Sequence, residues 1–230
     1  MSVPPETLPA EQVRTPRKKW PLIAAGAGAA IVVALVLFFA LRGGGGGVNP
    51  SSGTPAFSFK LIGTKGVPGV SHADRGAIGA VADNAAKDIH DVLDRMYKLA
   101  FLDPSNWKAG KYDNVFGFFD LGASASRAKA DVDTLTLGPD AGSTFSDVQP
   151  SSGTLSVEVL VDKGGQPVSA TASVVFKAKA TGNGGAGEIV VSKGQYFMHI
   201  LEGGWSIFGY SVARDDRPLK ATSTPSGASS

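Results

Sequence analysis

Proton transfer near neutral pH is chemistry for histidine, and this chain of 230 residues has three: His72, His90 and His199. His199 stands between Met198 and Ile200 in an alternating run, with no acid beside it in sequence. A lone imidazole in that setting is expected to be half-buried, bonded to a neighbouring strand or to water. His90 is followed four residues later by Asp94. That is the spacing of a surface pair on a helix, worth a few tenths of a kcal/mol. His72 opens "HAD", which suits a turn capping the next helix; with Asp74 it makes two ligands where a metal needs at least a third. An enzyme would need a base beside a buried acid, with Asp131 and Glu158 the acids to consider.

Other reactive patterns are missing. The chain has no cysteine, which excludes thiol nucleophiles, thiolate zinc sites, lipid attachment through cysteine and disulfides. No Gly-x-Ser-x-Gly elbow occurs. "GTKGVPG" and "GNGGAG" lack the lysine and the strand-to-helix context of a phosphate loop. The acids of "DVDTLTLGPD" do not follow a calcium-loop pattern. No catalytic, cofactor-binding or metal residues are therefore assigned, and no cofactor is expected.

Any cooperation among these side chains depends on the elements that carry them. "FSFKLIG" (57–63) reads as a strand ended by the turn-rich "TKGVPGV". Ile78, Val81, Ala82, Ala85, Ile89, Val92, Leu93, Met96 and Ala100 recur at helical steps, with charges in the gaps. Pro104 closes that helix. Asp103-Pro104 can start a short helical turn, with Asp103 as its cap. A cap is expected at Asp113 before "VFGFF", and "SASRAKADVDTL" reads as a third helix. After "GPDAGSTFSDVQPSSG", taken as a loop, the period becomes two. Leu155, Val157, Val159 and Val161 share one face, as do Ala170, Ala172, Val174 and Phe176. "EIVVSKGQYFMHILEG" is a long strand in which Gly194 allows a bend or bulge. "WSIFGYSVARD" is the last strand, with large apolar residues on both faces and so expected to be covered on both. Helices first and an antiparallel meander second define an α+β domain of about three helices on one face of about four strands.

Ahead of this domain lies an apolar segment. Residues 21–41 carry no charge and include eleven Leu, Ile, Val or Phe. As a helix they would span about 31 Å, close to the roughly 30 Å core of a bilayer. Arg14, Arg17, Lys18 and Lys19 precede the segment and only Arg42 closely follows it, which puts the N-terminus in the cytoplasm and the rest outside. Its small residues come first and "VLFFALRGG" last, a poor peptidase site, so a retained anchor is favoured over a cleaved signal. The resulting plan is a disordered cytoplasmic tail (1–20), a transmembrane helix (21–41), a glycine-rich linker (42–55), an extracytoplasmic domain (56–217) and a disordered tail (218–230). Beyond Arg42 there are 17 basic and 18 acidic residues, so no basic stripe is available for a nucleic acid.

"YKLAFLDPSNW", "VFGFF" and the closing "GQYFMHILEGGWSIFGYSVARD", with Trp205, Gly209 and Tyr210, carry a resemblance. Together they resemble the nuclear transport factor 2-like (SnoaL-like, cystatin-like) family, in particular the membrane-anchored actinobacterial envelope proteins of the Mce-associated kind. The resemblance implies a cone whose curved sheet closes over helices and leaves a funnel. That fold hosts both enzymes and adaptors. The function expected is a membrane-tethered, non-catalytic accessory or interaction module of the cell envelope. Its partners would be the bilayer and an envelope protein or a second copy. One alternative is a carrier of a small apolar ligand or lipid in a pocket lined by Phe116, Phe119, Tyr196 and Trp205. A SnoaL-like isomerase or hydratase is the other, requiring His199, Asp131 or Glu158 at the funnel floor beside a partner.

Overall fold

The computed structural model describes residues 50–69 and 75–219. The apolar segment 21–41, its basic flank, the glycine run 43–47, His72 with Asp74, and the tail from Lys220 lie outside the described residues. Among the described residues, no helix is long and apolar enough to cross a membrane.

The long helix α1 (Arg75–Tyr97) forms where its periodicity places it and buries Ile78, Ala82, Ala85, Ile89, Val92, Leu93 and Met96. It continues into a wider π turn at Lys98–Leu102. The wider turn fits "LAFL", because Leu99, Ala100, Phe101 and Leu102 are all buried. Asp103 then caps α2 (Pro104–Trp107), its side chain accepting from Ser105 N, with Pro104 at the start. The next helix, α3 (Asp113–Phe116), departs from expectation: Tyr112 holds the cap position without a side-chain bond, and Asp113 is the first helical residue. Tyr112 is drawn inward instead, its hydroxyl donating to Gly138 O at 2.9 Å. The single helix expected over 124–135 is two, α4 (Ala123–Ala130) and α5 (Val132–Leu135), broken at Asp131. A further turn, α6 (Ala141–Thr144), falls in the stretch read as loop. The described residues thus hold six helices, not about three.

Five strands form one sheet in the order β1-β2-β3-β4-β5, rather than four. They are β1 (Lys60–Pro68), β2 (Phe145–Val161), β3 (Pro167–Gly182), β4 (Gly187–Leu201) and β5 (Gly204–Pro218). β2 to β5 are the expected antiparallel meander. β1 pairs parallel to β2, so the sheet is mixed. Parallel neighbours need a crossover, and the whole helical region supplies it. Two boundaries also move. "TKGVP" continues β1, since an edge strand tolerates glycine and proline. β2 starts at Phe145, passing Pro150 with a register shift before Ser152.

The helices cover one face of the sheet. That face presents Leu155, Val157, Val159 and Val161 from β2, Ala170 through Ala180 at alternate positions from β3, and Val190, Tyr196 and Met198 from β4. Gly194 sits among them at φ +154°, where an added Cβ would stand 2.1 Å from Ser211 O. Only glycine lets β4 and β5 approach there. The expectation for β5 fails for a specific reason. Phe197 pairs with Gly209 and Met198 with Ile207, which leaves Phe208 as an extra residue. This bulge shifts the alternation, so Trp205, Ile207 and Tyr210 all turn to the core while Phe208 turns out. The strand is covered on one side.

Candidate functional site

Alternation along β4 sends Tyr196 and Met198 inward and His199 outward, where it pairs with Ser206 of β5 and Ser169 of β3. The chain after α3 joins the sheet there. Ile207 N donates to Phe118 O at 3.0 Å and Asp120 N to Ile207 O at 2.9 Å, giving a short parallel bridge between Phe119 and Ile207. Ser124 Oγ adds a bond to Ile207 O at 3.0 Å. This bridge places Asp120 against His199, with Oδ2 2.7 Å from Nε2. The two atoms are close, but Nε2 makes no aligned hydrogen bond to that oxygen. Ser206 Oγ donates to Oδ1 of the same carboxylate. The sequence pairs no acid with His199; Asp120 meets it only through this tertiary bridge, which no local pattern announces.

The chemistry of the trio follows from its bonds. The serine hydroxyl donates its hydrogen bond to the aspartate, not to the imidazole. His199 is therefore not placed to deprotonate Ser206, and the set lacks the base–nucleophile link of a triad. The ring of Phe208 lies 5.2 Å from the imidazole. Around this point the surface is apolar: Leu121 is 98% exposed, Phe208 48% and Leu201 47%. The trio holds the Leu121 loop against the strand that carries Phe208.

The other candidates lie elsewhere and apart. His90 and Asp94 are not a simple surface pair. Asp94 is buried and accepts from Phe59 N at 2.8 Å, while His90 Nε2 donates to Phe59 O at 2.7 Å. Asp131 accepts from the Tyr210 hydroxyl at 2.7 Å. Burial first, and then that carboxylate, pushes the Tyr210 phenol up. Glu158 is exposed on the outer face, 3.2 Å from Lys65. Phe116, Phe119, Tyr196 and Trp205 are each at most 8% exposed within one core cluster. Tyr97, Tyr196 and Ser192 join hydroxyls there at 3.0 and 3.2 Å. Burial pushes Tyr97 up to about 12, with hydrogen bonds from Ser192 and Tyr196 opposing it.

A polar cleft of about 490 Å³ opens at the other end of the sheet, lined by Asp133, Asp140, Glu188, Arg214 and Asp216 among others. None of the four aromatic residues above lines it. Arg214 is committed to Thr136 O at 2.8 Å, Asp133 O at 3.1 Å and Asp216 at 3.0 Å. Burial raises Glu188, with Asp216 adding to the effect. Among the described residues, no group of three or more potential ligands could hold a metal ion.

No known family model matches this chain, and no curated protein matches it.

Proposed function

We propose that this protein is a membrane-tethered interaction module. Its body stands on the extracytoplasmic side of a single-pass anchor at 21–41, and it acts by docking rather than by catalysis. The observation that carries this reading is the set of exposed apolar side chains Leu121, Leu201 and Phe208 around His199 and Asp120. A side chain as apolar and as exposed as Leu121 gains by being covered, at roughly 25 cal/mol per Å² removed from water. In the nuclear transport factor 2-like reading, a cone that could have housed a ligand has its interior occupied by Phe116, Phe119, Tyr196 and Trp205. That favours the adaptor over the carrier or the isomerase. Anchoring raises the local concentration of any envelope protein that shares the membrane.

The test is photo-crosslinking in intact membranes from a reactive residue at Phe208 or Leu121, with Lys179 as a control on another part of the surface. Discrete adducts from the first two sites alone are expected. Equal labelling from all three sites, or recovery of the mature chain from culture fluid trimmed after Leu41, overturns the reading.

A further inference from the structure

Residues 50–59 lie outside every strand, yet they are held at three places. At the outer end, Ser51 gives its backbone N–H (2.8 Å) and its hydroxyl (2.6 Å) to Asp103. Asp103 is 1% exposed and also takes Ser105 N (2.9 Å) and Ser105 Oγ (2.7 Å), so its carboxylate is fully engaged. In the middle, Phe57 and Phe59 pack edge-on at 4.9 Å; Phe57 meets Phe176 at 5.2 Å and Phe59 meets Tyr97 at 4.9 Å. The groove they fill is shaped for them. A Cβ on Gly153 would come within 2.5 Å of the Phe57 ring and 2.9 Å of the Phe59 ring. At the inner end, the Phe59 backbone is gripped on both sides, N–H by Asp94 and carbonyl by His90. The polar grips come from α1 and from the residue that ends its π turn.

We propose that residues 50–59 form a latch: a strap that fastens the incoming chain to α1 and that can open while the sheet stays folded. The strap has no ladder bonds to lose, so its release costs these side-chain grips, the contact of Ser58 Oγ with His90 Nε2 at 3.2 Å, and the burial and ring contacts of Phe57 and Phe59. A load arriving from the N-terminal side is then borne first by the Asp103–Ser51 bolt. Opening that bolt frees the segment as far as the Phe57–Phe59 groove. The latch belongs to the body alone and stands whether or not residues 21–41 span a membrane.

Hydrogen exchange on the full chain in detergent tests it, read at the amides of Ser51, Thr54 and Phe59 against those of β2 and β3. Asp103→Asn is expected to speed exchange at Ser51 and Thr54 by about tenfold or more, with β2 and β3 unchanged. Ser51→Ala, which removes only the hydroxyl and cannot unfold the core, is expected to give a smaller rise at the same amides. Phe57→Ala should extend the loss of protection to Phe59. The proposal is overturned if the Ser51 and Thr54 amides already exchange like free chain in the parent protein. It is equally overturned if they lose protection only together with β2 and β3.

Discussion

At the scale of single residues, burial and bonding set the outcomes. Burial alone would raise the Asp103 carboxyl, but the bonds from Ser51 and Ser105 outweigh it and hold the group below the usual carboxylate value. A depressed acid stabilises the fold above its unfolded value and loses that contribution as the pH falls through the folded one. Stability of the parent should therefore drop more steeply below about pH 4 than that of Asp103→Asn, as a denaturant series at several pH values will show. Tyr97 has the opposite sign. Its phenol is raised to about 12, so its contribution is intact below the ordinary phenol value and is lost as pH climbs toward 12. Tyr97→Phe should cost about 1 kcal/mol near neutrality and blunt the alkaline loss. Gly194→Ala should cost more, about 3 kcal/mol or above, because its Cβ meets backbone rather than a movable side chain. Thermal melts check both. His90 shows how little of this is local: the His90–Asp94 spacing is plain in the sequence, but the backbone it grips is 31 residues upstream.

At the scale of elements, the parts governed by one period were legible. α1, the inward faces of β2 and β3, and the turn after Asp103 follow from spacing and capping. The misreadings share a cause, which is pairing between distant segments. "TKGVP" carries turn residues yet continues an edge strand, because its partner is β2 and not its sequence neighbour. The faces of β5 invert after a bulge that only the β4 register reveals. Asp120 reaches His199 through a bridge to Ile207 that no pattern around either residue encodes. The bulge carries its own prediction. Phe208 points away from the core, so Phe208→Ser should leave the melting midpoint nearly unchanged, within about 0.5 kcal/mol. The same variant should sharply reduce crosslinking from Leu121. Trp205→Ala or Ile207→Ala, on the core side of the same strand, should cost about 2–5 kcal/mol instead.

At the scale of the whole molecule, two ends of the sheet differ in character. Asp103, α6, the acidic cleft and the close of β5 gather at one end, while the β4–β5 turn and its apolar cluster form the other. Chain entry at Ser51 belongs to the first end through its bolt on Asp103. The parallel seating of β1 on β2 has a consequence for biogenesis. Lys60–Pro68 is made early, yet its partners, Thr154 to Val161, are made some ninety residues later. Until they emerge, the first strand has no neighbour to zip onto, and such distant closures are intrinsically slow. A ribosome stalled before residue 154 should therefore display a nascent chain in which that opening segment remains open to protease, however well the first helix has formed.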